Sequence, residues 1–427
     1  MVERRSRGRT GRPARGRRGT PPPSDARRRR AEGEGAPRCI HFPDCVGCPW
    51  LGRPYGRTLA EKQARLRAAL AAHPQTSGFE PGEPAGSPRK LGYRNSAKLV
   101  FRRRRVPGPG ARVEVLLGVY RPGTHSVMPA DGCAVHDPVL RPLLRDLRTR
   151  VEEHAIPIFD ERNRSGDLRY ALARSSSHSG RIHLTLVTAR RETPWLGALA
   201  GELRRQHANL ESLFVCVNPT PGNVLLGPEV EPVFGPRALL DRIGDRWLES
   251  RPESFVQANP RMAANLYRAA ARALPRSDRA TILDLFCGVG AIGLSMARPE
   301  DRLIGIETSA GAIECAKNNA RRAGLRRARF FAGAADGAED ILAREGISRV
   351  DLVIVNPPRK GIGARTAAMV TRLAPARIVY VSCEPESLAG DLARLVDGGF
   401  ELDRIRAYDM LPQTPHVEVL AALRARS

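Results

Sequence analysis

Hydrophobic and polar positions along this chain fall into three textures. Residues 1–38 carry few apolar side chains and are dominated by Arg, Gly and Pro, too little apolar surface to offset the entropy of ordering them, so a disordered tail is expected there. Further on, "TLAEKQARLRAALAAH" (58–73) places Leu59, Leu66 and Leu70 at helical spacing. From Tyr93 to Ser250 the runs "AKLVF", "VEVLLGVY", "RYALAR", "RIHLTLVTA" and "LFVCVN" read as short strands, with Ile182, Leu184 and Leu186 in strict alternation. Helical stretches near 137–155 and 195–206 interrupt them, which predicts a mixed α+β domain on an antiparallel sheet. After residue 256 the text alternates strand and helix: "TILDLF", "RLIGIE", "ARFFAG", "VDLVIVN" and "RIVYVS" are the strands. That rhythm predicts an α/β fold with a doubly wound, mostly parallel sheet. The expected divisions are 1–38, 39–255 and 256–427, and no internal repeat is present.

Composition adds a partner to this outline. The hydrophobic fraction of 41% suits a globular protein with a sizeable core. No apolar run approaches the roughly 18 residues of a membrane span, and the N-terminus lacks an apolar signal core, so a cytoplasmic protein without membrane association is expected. Formal net charge is +25, of which the first 38 residues supply +9 through 13 Arg against four acids. Lysine occurs only at 62, 90, 98, 317 and 360, an arginine bias that a GC-rich genome also produces. Cationic charge along the whole length makes a nucleic acid the expected macromolecular partner.

The candidate chemistry begins at "ILDLFCGVGAIGL": a strand, an acid at Asp284, a turn with Gly288 and Gly290, then a helix. Glycine there lets backbone approach a ligand at the carboxyl edge of the first strand. The next strand ends in Glu307, about twenty residues on, where an acid can accept from ribose hydroxyls. With no third glycine at dinucleotide spacing and no Walker lysine, the pattern resembles a class I S-adenosylmethionine methyltransferase more than an NAD enzyme or a P-loop protein. The plainer reading has Asp284 capping the helix and Glu307 as a surface acid. The fourth strand closes on "VNPPRKGIG", whose prolines stiffen the backbone after Asn356, with Arg359 suited to a phosphate.

The fifth strand ends in a thiol, "VYVSCEP", so Cys383 is expected to face the same pocket as the NPPR loop. The helix after it is expected to lower the thiol's pKa through its N-terminal dipole. A thiolate beside a methyl donor answers the inertness of uracil C5: addition to C6 turns C5 into an enolate-like nucleophile. A base must then remove the C5 proton, and Glu418 of "TPHVEVLAAL" is the candidate. Cys216 in a middle-domain strand, Cys287 in the glycine turn and Cys315 on a helix are weaker nucleophile candidates, and Cys383 itself could be a buried core cysteine.

Taken together, "DLFCGVGAIGL", "GIE", "VNPPRKGIG", "YVSCEP" and "DMLPQTPHVEVL" resemble the RNA uracil-5-methyltransferase family across the C-terminal half. "ESFVQANP" (253–260) is similar to the stretch preceding its catalytic domain, and "LGYRNSAKLVF" to the start of its middle domain. The resemblance implies that Gln257, Phe286, Glu307 and Asn356 contact S-adenosylmethionine, that Cys383 is the nucleophile and that Glu418 accepts the proton. Many members have Asp where this chain has Asn356; the Asn is similar to the C-type 23S rRNA branch, which methylates the uridine at about position 747. That branch lacks the small N-terminal RNA-binding barrel of its relatives, and no barrel-sized segment precedes Cys39. The Arg-rich tail departs from the family pattern. A base within a stem would be flipped into the pocket, and Tyr93, Arg94, Asn95 and Lys98 are nominated as RNA contacts.

Four further cysteines, Cys39, Cys45, Cys48 and Cys133, could hold a [4Fe-4S] cluster or a structural zinc, with His41 and His136 able to join the latter; spacing alone does not choose. Disulfides are not expected in a cytosolic enzyme. The resemblance implies a [4Fe-4S] cluster on those four cysteines, structural in role, which makes 39–255 an iron-sulfur segment plus an RNA-binding central domain and 256–427 the methyltransferase domain. The expected enzyme is a monomer acting on RNA, with 23S rRNA the leading substrate and tRNA the second. Two other readings are an exocyclic-amine methyltransferase working through the NPP loop and an RNA-binding protein with a vestigial catalytic domain.

Overall fold

The computed structural model describes residues 39–426 apart from 107–111, 122, 125, 221–224 and 274–278; the expected disordered tail lies outside the described residues. Two sheets organise the rest. The first has seven strands in the order β4-β3-β2-β5-β6-β7-β8. They are β2 (Ser96–Val106), β3 (Arg112–Tyr120), β4 (Val127–Pro129), β5 (Leu168–Ser175), β6 (Ile182–Thr188), β7 (Leu210–Val217) and β8 (Val230–Phe234). All neighbours run antiparallel except β6 and β7, which are joined by a helical crossover. One face is covered by α2 (Leu140–Glu153) and α3 (Leu196–Gln206), and onto it point Ala97, Leu99 and Phe101 together with the alternating Ile182, Leu184 and Leu186. Period-two patterning was a correct guide to that face.

The second sheet has eight strands in the order β1-β16-β17-β15-β14-β11-β12-β13. Its parallel body is β11 (Thr281–Leu285), β12 (Arg302–Glu307), β13 (Ala328–Ala332), β14 (Leu352–Val355) and β15 (Arg377–Ser382). These strands read as continuous apolar runs because both faces are buried: Leu283, Val353, Val355 and Ile378 face one core, and Ile282, Leu352, Ile354 and Val379 the other. On the second face lie α4 (Pro260–Ala271), α5 (Ala291–Met296) and α6 (Ala310–Arg322). On the first lie α7 (Ala338–Arg344), α8 (Gly363–Leu373), α9 (Pro385–Asp397) and an unexpected member, α1 (Tyr55–Ala71), which contributes Leu66 and Leu70. β16 (Phe400–Tyr408) and β17 (Glu418–Ala425) complete the sheet, with β17 antiparallel to both β15 and β16.

Three segments from before residue 256 thus serve the C-terminal sheet. α1 packs beside α9, where Arg65 pairs with Glu384 and Glu386. β1 (Gly82–Ala85) extends the sheet by pairing with β16. The hairpin β9 (Leu239–Ile243) with β10 (Arg246–Ser250) packs on α4 and α6. Nothing in "GEPA" reads as a strand, because a four-residue edge segment with Gly and Pro has no alternation to show.

The hairpin is fastened by one buried side chain. Asn319 of α6 accepts from the Glu249 N–H at 2.7 Å and donates to the carbonyls of Glu249 (3.1 Å) and Val289 (3.0 Å), joining β10 to the glycine turn. Asn319→Ala is expected to leave three buried backbone groups unpaired and to cost about 2–4 kcal/mol, read as a lower midpoint in chemical denaturation.

Candidate active site

In a parallel sheet the strand ends at the carboxyl edge lie side by side, and that edge gathers most of the candidate residues. Phe286 to Gly290 follow β11, Glu307 closes β12, Asn356 follows β14 and Cys383 follows β15. Phe286 adopts φ 59°, a left-handed conformation that is costly for a bulky side chain and marks an over-determined turn. Gly288 and Gly290 share that backbone region at φ 54° and 79°. Glu307 is tied into the turn: its carboxylate accepts from the Gly288 N–H (3.2 Å), the Ser309 N–H (3.0 Å) and the Thr308 hydroxyl (2.9 Å).

Asp284 does not reach the edge. It is buried, and its carboxylate accepts from the Gly293 N–H at 3.0 Å, so it caps α5 as the plainer reading had it. Burial first, then the Glu307 charge, push its pKa up to about 7 despite that hydrogen bond. Gly293 cannot be larger here, since a Cβ would stand 2.6 Å from the Asp284 carboxylate.

The thiol and the last candidate meet through strand direction. Because β17 is antiparallel to β15, its first residue lies next to the end of β15: Val419 pairs with Ser382, and Glu418 is one step further, beside Cys383. Glu418 is 6% exposed, and its carboxylate accepts from the Gln257 amide at 3.3 Å, which brings Gln257 to the same place. Burial raises the Glu418 carboxyl to about 7, with the Gln257 hydrogen bond opposing. The buried Tyr267 phenol of α4, which sequence reasoning did not single out, is pushed up by desolvation and by the charges of Glu418 and Asp284.

For Cys383 the helix-dipole expectation is corrected. The half-buried thiol has its pKa raised, by burial first and by Glu418 next, with a further push from Glu384. α9 begins only at Pro385, and burial and two nearby carboxylates set the direction of the shift. The cation that opposes them is Arg359, so the fourth position of the NPPR loop acts on the thiol. Cys216, Cys287 and Cys315 are all buried, and burial raises the thiol pKa of each.

The RNA nominations divide. Tyr93 and Asn95 are buried, the Tyr93 hydroxyl donating to the Pro412 carbonyl at 3.1 Å, so neither presents a surface to RNA. Arg94 is half-buried and lines the cysteine cavity, and Lys98 is exposed.

Cys39, Cys45, Cys48 and Cys133 line one cavity of about 70 Å³ together with His41 and His136. Nε2 of His41 and Nδ1 of His136 are buried there without a hydrogen-bond partner. Among the described residues no group of three or more His, Cys, Asp or Glu is gathered as a single metal ion requires. The cavity therefore gathers thiol and imidazole donors, with no metal-binding geometry formed among the described residues.

A doubly wound sheet with one antiparallel strand, a Gly-rich turn after its first strand and an acid closing the second are the features of an S-adenosylmethionine-dependent methyltransferase. Residues 242–426 match the family model described as tRNA (Uracil-5-)-methyltransferase. The chain is 34% identical over 387 residues to a Yersinia pestis protein named 23S rRNA (uracil(747)-C(5))-methyltransferase RlmC, covering 90% of this chain and 97% of that one. An uncharacterized RNA methyltransferase of Geobacter sulfurreducens is 34% identical over 91% of this chain and 77% of its own. Among solved structures, the Pyrococcus abyssi tRNA (uracil-54, C5)-methyltransferase in complex with S-adenosyl-L-homocysteine superposes with a TM-score of 0.71 at 28% identity, over 89% of this chain and 86% of that one. The chain belongs to the RNA uracil-C5-methyltransferase family, and S-adenosylmethionine is its methyl donor.

The two raised carboxyls have a consequence for stability. Asp284 and Glu418 bind their proton more tightly folded, near pH 7, than at their ordinary values of 3.8 and 4.5. The native state therefore holds more protons between about pH 4 and 7, and the stability these groups contribute is full below that window and lost as pH rises through it. In Glu418→Gln, the fall in unfolding free energy between pH 5 and 8 is expected to be smaller by about 2–3 kcal/mol, measured by denaturant titration at each pH.

Proposed function

We propose that this enzyme methylates C5 of a uridine in 23S rRNA, at the position numbered 747 in the named relative, through covalent addition of Cys383. The observation that carries this reading is the adjacency of Cys383 and the buried Glu418 at the sheet edge. An exocyclic-amine methyltransferase needs neither group.

In the proposed sequence the Cys383 thiolate forms a bond to uracil C6, and the C5–C6 electron pair moves toward the C4 carbonyl. The bound donor supplies an electrophilic methyl group, which C5 attacks with departure of S-adenosylhomocysteine. Glu418 then takes the C5 proton, the electron pair restores the C5–C6 double bond, and the C6–S bond breaks to return the thiolate. A carboxyl with a pKa near 7 suits this last step, because it is substantially ionised at neutral pH yet more basic than an exposed glutamate. Arg359 stabilises the thiolate on departure and arrival. Gln257, Phe286, Glu307 and Asn356 hold the donor, Gln257 also orienting the base through its amide. Phe255, exposed to 70% two residues before Gln257, offers an aromatic face for a base at the entrance.

Cys39, Cys45, Cys48 and Cys133 are assigned to a structural [4Fe-4S] cluster. Their gathering around one cavity supports a thiolate-held group there. We place the enzyme in the cytoplasm as a monomer; no helix among the described residues is long and apolar enough to cross a membrane. A tRNA substrate is the second reading, favoured by the Pyrococcus abyssi structure.

Covalent trapping tests the mechanism. Protein and donor incubated with 5-fluorouridine-substituted 23S fragments or tRNA are expected to give a denaturation-resistant adduct that Cys383→Ala abolishes, and the RNA that traps identifies the substrate. No adduct with either RNA, from protein that binds the donor, would return Cys383 to the core. With unsubstituted RNA, kcat is expected to rise with pH through about 7 as Glu418 ionises. Anaerobically purified protein is expected to show a broad absorption band near about 400 nm; a colourless zinc protein would remove the cluster.

A further inference from the structure

The segment that delivers Glu418 to its place is the loop 409–417, between β16 and β17. Four successive carbonyls of this loop are each taken by a donor from far away in sequence. Met410 O accepts from the Asn259 amide (3.2 Å), Leu411 O from Nζ of Lys62 (3.2 Å), Pro412 O from the Tyr93 hydroxyl (3.1 Å) and Gln413 O from the Trp50 N–H (3.0 Å). At the head of the loop the Asp409 carboxylate accepts from the Tyr55 hydroxyl (2.7 Å) and pairs with Lys62, both charges only 1% exposed. Leu411 packs against the cluster of Cys48, Leu51, Tyr93 and Val135, against which Cys39 and Cys133 also pack.

The loop cannot hold this shape by itself. Gln413 sits at φ 68°, a costly conformation for a residue with a side chain, and is 1% exposed. Leu411 O also accepts from the Thr414 hydroxyl within the loop (2.7 Å), whereas the carbonyls of Met410, Pro412 and Gln413 are met by these external donors. Three of the four donors, and both partners of Asp409, come from residues 50–93, the stretch between the cysteine segment and the central sheet.

We infer that Lys62 and Tyr93 are positioning residues for the general base: through the loop 409–413 they hold Glu418 against Cys383, which couples the cysteine-bearing segment to proton removal. The inference rests on the reading of Glu418 as base. It also gives the N-terminal segment a part in one step of the reaction. Addition of Cys383 and methyl transfer do not need Glu418, whereas release of the product does, so a misplaced base stalls the enzyme as a methylated covalent adduct.

The test measures steady-state kinetics and denaturation-resistant adduct in Lys62→Met, Tyr93→Phe and Glu418→Gln, using whichever RNA traps Cys383, now with ordinary uridine. Glu418→Gln is the reference and should accumulate adduct. Lys62→Met and Tyr93→Phe are expected to lower kcat by about ten- to a hundredfold at unchanged KM for RNA and to accumulate adduct as well. If Lys62→Met does not fold, Tyr93→Phe decides, since it removes one hydroxyl and keeps the ring. Folded variants with wild-type kcat and no adduct overturn the inference, as does a loss of kcat without adduct. Should Glu418→Gln itself give no adduct, it is the base assignment that fails, and the inference falls with it.

Discussion

The site depends on one reversal of direction. Five parallel strands deliver their ends to a single edge, but a parallel neighbour of β15 could place only another strand end beside Cys383, one that the chain must leave by a loop and a helix. β17 enters from the opposite side, so its first residue stands beside the thiol while the rest of the strand is locked on both flanks by β15 and β16. Glu418 is thereby held by a full ladder on its C-terminal side and by a tethered loop on the other. A carboxyl fixed in this way can be buried without being paired to a cation, a condition that raises its proton affinity.

Burial then governs the resting chemistry. Burial pushes both the thiol and the carboxyl toward their protonated forms, and the Glu418 charge adds to the push on the thiol. Arg359 is the nearby cation that works against this at the thiol. On the proposed mechanism a bound donor would bring a sulfonium charge, and a positive charge near the pair would favour both anions. Held mostly protonated, the free thiol is less exposed to oxidation, because the thiolate is the reactive form.

Much of this was legible in the sequence because it rests on local signals. The glycine turn, the acid ending β12, the prolines after Asn356 and the thiol ending β15 each sit at a strand terminus, and strand termini of a parallel sheet converge. Glu418 was readable as the opening of a last strand, though its register against Cys383 was not. Less visible were effects that depend on surroundings. The dipole argument for Cys383 considered one helix and missed two carboxylates. Tyr93 and Asn95 look like a polar strand edge in one dimension and are buried in three, Tyr93 against the loop before β17 and Asn95 against Ala258 and Ser175. β1 is too short for any pattern, and α1 showed its apolar stripe without showing which sheet would receive it.

Lys62 illustrates a signal that was present and unread. In a chain with only five lysines, where arginine supplies nearly all positive charge, a lysine is the exception that calls for a reason. A guanidinium is planar and wide, whereas an ammonium is a compact point charge with three donors. The space beside Asp409 takes such a point: Nζ reaches the carboxylate and the Leu411 carbonyl while the Trp50 ring lies 5.9 Å away. Burial lowers the lysine's pKa and Asp409 raises it, so the charge persists only as half of the pair. The pair joins α1 to the loop before β17 across 347 residues of sequence. Such a buried pair is weak evidence for added stability, because desolvation consumes most of its attraction. Its value lies in geometry: a buried cation accepts few arrangements, and here the arrangement it accepts fixes the approach of the strand that begins with Glu418.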